Sequence, residues 1–128
     1  MQNHSAWIKK ATNDLIGAKL LFREHINDLA VYHAHQCAEK ALKSFLAYKL
    51  CSIQKSHDLV VLTELCYRYD RTFEEIRPIV EVLNPFGTLM RYPSDRPDPD
   101  QDLTRDSISK AEDVLLFIQA KVVSAAQG

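Results

Sequence analysis

The sequence predicts an all-α fold, an up-and-down bundle of four to five helices forming one domain over residues 1–128. Three observations carry that prediction. Apolar residues recur at helical spacing in five stretches. Breakers are few: there are three Gly, and four of the five Pro lie between Pro85 and Pro99. Only one stretch, 91–102, has the composition of a long loop. With 128 residues, 46% of them hydrophobic and 26% charged, the chain can bury a core without disulfides or metals.

The first element runs over Ser5–Glu24. At about 100° per residue, Trp7, Ile8, Ala11, Leu15, Ala18 and Phe22 share one face, with Asp14 at its border. Lys9, Lys10, Asn13, Lys19 and Glu24 lie away from it. Asn27 or Asp28 caps the second helix, which extends to Leu50 or Cys51. Its stripe is Val31, Ala34, Ala38, Ala41, Leu42 and Phe45, and the three Ala permit close approach of a neighbour. His33, Gln36, Lys40 and Ser44 form the opposite, wet face. Tyr32, His35, Glu39 and Leu46 line one border, with Lys43 just beyond on the polar side.

Ser56 opens a third helix by capping its free amides, Asp58 suits its positive end, and Leu59, Leu62, Leu65, Cys66 and Tyr69 carry its apolar period. A fourth starts at Thr72–Glu75, a capping-box spacing, and buries Phe73, Ile76, Val80 and Leu83. Pro78 kinks it, and the Asn-Pro-Phe-Gly run at 84–87 bends the chain again. After the loop, a last helix over 104–125 aligns Ile108, Ala111, Leu115, Ile118 and Val122.

Sixteen basic against seventeen acidic residues leave a net charge of −1, so any nucleic-acid contact has to come from a local patch. The first fifteen residues lack the apolar core of a signal peptide, and no apolar run is long enough to span a membrane. Cys37, Cys51 and Cys66 have no short paired spacing, which points to reduced thiols and a cytoplasmic location.

The stretch Val31–Leu46 sets two His, a Cys, a Glu and two Lys on one helix. Metal binding is disfavoured. There is no CxxC or HExxH, and His33 and His35 point roughly 160° apart around the helix. His35 and Glu39 are expected as a hydrogen-bonded border pair, and Cys37 as a small hydrophobe. No Gly-rich phosphate loop is present. Lys40 and Lys43 make a cationic surface with two readings, a solvated helix face or a phosphate contact. Arg91-Tyr92-Pro93 also has two. The Arg can take a phosphate while the Tyr stacks on a base, or the Arg can anchor its loop to Asp14 or Glu39.

Ala11, Asp14, Leu15, Ala18 and Leu21, then HQCAEKALKSFL at 35–46, HDL at 57–59 and RYPSD at 91–95, stand in an order that resembles the HEPN family of small helical domains. The resemblance covers nearly the whole chain. It implies a four- or five-helix bundle that pairs as a homodimer, associates with nucleotide or RNA, and partners a small nucleotidyltransferase in toxin–antitoxin-like systems. It implies no cofactor. Many members are ribonucleases carrying Arg, four to six residues, then His; no Arg here has a His at that distance. The resemblance therefore implies a noncatalytic module, with Glu39, Lys40, Lys43, Arg91 and Tyr92 as its ligand-binding residues. The alternative is a metal-independent ribonuclease with an atypical site.

Overall fold

The computed structural model describes residues 3–52 and 54–127, with side chains as far as Val122. It contains five α-helices: α1 (His4–Arg23), α2 (Asn27–Tyr48), α3 (Leu59–Tyr67), α4 (Arg77–Leu83) and α5 (Gln101–Gln127). A 3-10 turn at Arg71–Ile76 leads into α4, and another at Asn84–Gly87 follows it. Among the described residues there is no strand, and no helix is long and apolar enough to cross a membrane.

The organising element is α2. Helices α1, α3 and α5 all pack against it, and thirteen of its 22 residues are buried. Ala30, Ala34, Ala38 and Ala41 are fully buried, so neighbouring backbones approach closely with little side chain between them. Enclosure on three sides narrows the expected wet face, of which His33, Gln36 and Lys40 stay partly exposed. Ser44 is fully buried and donates its hydroxyl to the His4 carbonyl at 3.0 Å; His35, Glu39, Lys43 and Leu46 are buried as well. At the far side of the core the Phe73 ring meets Phe45 (centroids 4.6 Å apart) and Phe117 (5.1 Å, edge to face). These contacts lock the 3-10 turn between α2 and α5.

Capping sets the helix limits, and here the structure departs from expectation in several places. Helix α2 has no side-chain cap. Asn27 instead donates its amide to the Pro99 carbonyl at 3.0 Å, tying the α1–α2 corner to the start of α5. Asp58, not Ser56, caps α3, accepting from the Val60 and Val61 N–H groups, so that helix starts at Leu59. Tyr69 lies beyond its end and is exposed. The expected Thr72–Glu75 capping box is replaced by Asp70, whose carboxylate accepts from the Thr72 N–H. Pro78 does not kink a helix; it sits in the first turn of α4, where a missing N–H costs nothing. Helix α5 begins at Gln101, earlier than expected, because Asp100 accepts from the Leu103 N–H.

Candidate functional site

The polar residues of α2 fall into two networks. In the first, Asp14 on α1 reaches across to α2 and accepts from Lys40 Nζ at 2.6 Å and pairs with His33 Nδ1 at 3.0 Å. Lys40 and His33 are seven residues apart, two helical turns, so one carboxylate on a facing helix serves both. The His33 ring meets Tyr32 edge to face at 5.4 Å, and the Arg91 guanidinium lies 5.8 Å from the Tyr32 ring centre. Asp14, Lys40, His33, Tyr32 and Arg91 thus form a continuous chain of contacts.

The second network is buried at Glu39 and Lys43 and reaches the surface at His57. Glu39 Oε2 accepts from Lys43 Nζ, one turn on, and from His57 Nδ1, each at 3.0 Å. Its Oε1 is buried without a partner among the described residues. Lys43 also lies 5.8 Å from the centre of the Trp7 ring, so its charge is shared between a carboxylate and an aromatic face. The expected His35–Glu39 bond is absent; His35 Nδ1 pairs with Gln36 Oε1 at 3.1 Å. His35 is fully enclosed, and burial holds its pKa below the ordinary histidine value. Its ring presses on Gly87: a Cβ there would sit 2.5 Å from Cε1 and Nε2 of the imidazole. Only glycine lets the 3-10 turn close over His35. A cleft of about 340 Å³ opens beside this turn, lined by His57, Asp58, Asn84 and Thr88 among others.

The five residues singled out in the sequence are therefore divided. Glu39 and Lys43 are buried partners of each other, and Lys40 is held by Asp14. Arg91 and Tyr92 are exposed on the loop after the second 3-10 turn. Asp14 and Glu39 do not converge on Arg91. Among the described residues Arg91 has no carboxylate partner, and its guanidinium lies between two rings, Tyr32 and Tyr92, the latter at 5.5 Å. An open cleft of about 370 Å³ runs along this loop, lined by Arg91, Tyr92, Arg96, Asp28 and Asp98 among others. Sequence reasoning quoted His57 only within the HDL match and gave neither it nor Arg96 a site role. The first stands eighteen residues from Glu39 with no periodic relation to it; the second was legible only as loop composition.

The cysteines carry no reactive feature at either network. Burial pushes the Cys37 thiol up to about 12 and raises Cys66 as well, so both stay protonated. Among the described residues no three His, Cys, Asp or Glu side chains are grouped to hold a metal ion.

A long helix enclosed on three sides, with an Arg–Tyr loop beside its N-terminal end, defines a small helical domain. The chain belongs to the HEPN domain family, whose model matches residues 4–121. In fold it is similar to ST0689, an archaeal HEPN homologue, with a TM-score of 0.77 and 23% identity over 95% of this chain and 99% of that one. It is also similar to TT1696 from Thermus thermophilus, with a TM-score of 0.79 and 20% identity over 94% of this chain and 99% of that one. No curated protein matches the sequence.

Proposed function

We propose that this protein is a noncatalytic HEPN binding module whose ligand is a nucleotide held at the Arg91–Tyr92 loop. One observation supports this above others: Arg91 is exposed, rests on aromatic faces and has no carboxylate partner among the described residues. Its N–H donors are free for a phosphate, and Tyr92, 69% exposed, offers a ring to a base. Lys40 is linked to Arg91 only indirectly, through Asp14, His33 and Tyr32, and its ammonium is held by Asp14. Glu39 and Lys43 are buried partners of each other and act as support for the fold. Asp28 and Asp98 also line the cleft, so a single phosphate suits it better than a polyphosphate tail.

Calorimetric titration with the common nucleoside monophosphates tests the reading. Binding that disappears in Arg91→Ala and weakens in Tyr92→Ala is the expected result. A flat titration of the wild type at millimolar ligand, about the weakest range that counts as a site, overturns it. Purified protein is expected to leave single-stranded RNA intact. Cleavage abolished by Arg91→Ala would favour the metal-independent ribonuclease instead.

Two further parts of the reading concern partners. Ile16, Leu20 and Leu116 are about half exposed on α1 and α5, which the Lys19–Glu112 bridge ties together at 3.2 Å. Those apolar side chains support an isologous homodimer. Sedimentation as a monomer at tens of micromolar, roughly the range of a weak interface, contradicts it. Family membership supports a small nucleotidyltransferase as the protein partner in a toxin–antitoxin-like pair. Co-purification from cells expressing both chains is the test.

A further inference from the structure

Residues 88–98 form a strap that is fixed at its ends and loosely held between them. At one end Asn84 accepts from the Leu59 N–H at 2.8 Å and donates its amide to Asp58 Oδ1 at 3.1 Å. At the other, the buried Pro99 receives the Asn27 amide. Among the described residues, 88–98 hydrogen-bond only to one another and to Pro85. Thr88 and Leu89 donate back to the Pro85 carbonyl, Arg91 donates to the Thr88 carbonyl, and residues 91–98 are all exposed. Two contacts lay this segment on α2: Gly87 against the His35 ring, and the Arg91 guanidinium over Tyr32. Tyr32 and His35 are three residues apart, neighbours on one face of the helix.

The cleft of about 340 Å³ beside the turn reaches His35, which lines it together with His57, Asp58 and Thr88. It gives water a route to the imidazole once Gly87 moves off the ring. The titratable groups around that ring are Glu39 on its own helix and His57 and Asp58 ahead of α3. The covering turn, Asn-Pro-Phe-Gly, brings none. Burial, the largest influence, and the His57 ring oppose a proton on His35, while Gln36, Glu39 and the His57 backbone favour one. Glu39 is already bonded to Lys43 and His57, so little of its charge is left to steady a further cation.

We propose that the strap is a proton-controlled latch, closed over neutral His35 and lifted when that imidazole takes up a proton. An imidazolium is costly to keep dry under the turn, and lifting the turn is the shortest way to hydrate it. Among the described residues, no hydrogen bond from 88–98 to the helices opposes the movement. As Gly87 leaves His35, Arg91 leaves the Tyr32 face that positions its guanidinium, and a bound nucleotide loses its phosphate contact. This regulation rests on the nucleotide reading of the Arg91–Tyr92 loop; the latch itself does not. The direction follows from linkage. The lifted form takes the proton near the ordinary histidine value of 6.5 and the closed form only below it, so acid favours lifting. One proton changes that balance by at most about tenfold per pH unit.

NMR on isotope-labelled protein, from about pH 8 to about pH 5, tests the latch without any ligand. The His35 ring and the Gly87–Arg91 amide resonances should move together, with one midpoint below 6.5. His35→Gln should abolish the movement at 87–91, whereas His33→Gln and His57→Gln should keep it. Gly87→Ala, whose methyl has no room on the ring, should show at neutral pH the amide shifts that acid produces in the wild type. Should His35→Gln fail to fold, Gly87→Ala still decides. Control of the site is read by calorimetry with the methyl ester of uridine monophosphate, whose single negative charge is constant over this range. Wild-type affinity should weaken about tenfold between about pH 7 and about pH 5, and that of His35→Gln by no more than about twofold. A strap that moves while no ligand binds at either pH would sink the nucleotide reading and support the latch. A His35 ring that titrates while residues 87–91 stay still, an acid transition that persists in His35→Gln, or wild-type binding indifferent to pH would each overturn the proposal.

Discussion

Two regions of this molecule hold the same kinds of side chain and do different work. Along α2, His35, Glu39 and Lys43 are enclosed and bonded within the chain, His35 beneath the 3-10 turn at 84–87. On the loop after that turn, Arg91 and Tyr92 are open to solvent, and the Arg91 guanidinium lies against aromatic faces with no carboxylate partner among the described residues. The difference teaches that a charged residue's role follows from whether its charge is already answered. A paired, buried charge has little left to offer a ligand, and removing its partner costs folding energy. An exposed, unanswered charge costs the fold little and remains available.

The sharpest way to break this contrast is at Lys43. Lys43→Ala leaves the buried Glu39 carboxylate with His57 alone, and should destabilise the protein by about 3 kcal/mol in chemical denaturation. Arg91→Ala, by contrast, should stay within about 0.5 kcal/mol of wild type. Replacing both buried partners with apolar residues, Glu39→Leu/Lys43→Met, should recover most of the loss, because no uncompensated charge is left inside. Equal effects of Lys43→Ala and Arg91→Ala would erase the distinction.

Next in size is the steric lock on His35. Gly87→Ala should cost about 2 kcal/mol, since the new methyl would collide with the imidazole and the turn cannot retreat without opening the core. The double variant Gly87→Ala/His35→Ala should be more stable than the sum of the single effects predicts. Strict additivity would show that the turn relaxes elsewhere.

The same histidine gives the buried region a pH signature. Its folded pKa lies below the unfolded value of 6.5, burial being the largest cause. Above that value the ring is neutral in both states and contributes no slope. As pH falls below it, the unfolded chain takes up the proton more readily than the folded one, and stability declines. Melting temperatures recorded across this range should fall with acidification, and His35→Gln should flatten that part of the curve. A slope unchanged by the substitution would assign the titration elsewhere.

The smallest effect belongs to backbone strain at the end of α2. Leu50 takes a left-handed conformation, φ 61°, with its side chain 78% exposed. Leu50→Gly should stabilise by about 1 kcal/mol, because glycine takes this helix-ending geometry without a steric penalty. No change in the denaturation midpoint would mean that the loss of Leu50's remaining contacts offsets the relief.

How much of this was legible in the sequence follows from where each residue's partner lies. The buried faces of α1 and α5 were readable because Ala11, Leu15 and Ala18, and Ile108, Ala111 and Leu115, repeat within one element. Helix α2 misled in part because periodicity assumes a broad wet side, and its neighbours bury Ser44 and the border residues His35, Glu39 and Leu46, leaving His33, Gln36 and Lys40 partly exposed. Ser44 finds its acceptor forty residues away in His4, and Asp14 meets Lys40 across 26 residues, distances at which spacing carries no signal. Arg91 and Tyr92 stood out from loop composition, but only the packed chain shows that neither Asp14 nor Glu39 answers the guanidinium. The starts of α3 and α5 shifted for a local reason: the carboxylates of Asp58 and Asp100 reach the first-turn amides, whereas Ser56 accepts from the Asp58 N–H instead.

The central claim is that the buried pair supports the fold while the exposed pair serves the ligand. Nucleoside monophosphate titration of Glu39→Leu/Lys43→Met, with the wild type beside it, tests this most directly. The account predicts that the wild type binds and that the folded double variant binds with the same affinity. A folded double variant that has lost binding, or a wild type that never binds, would contradict it.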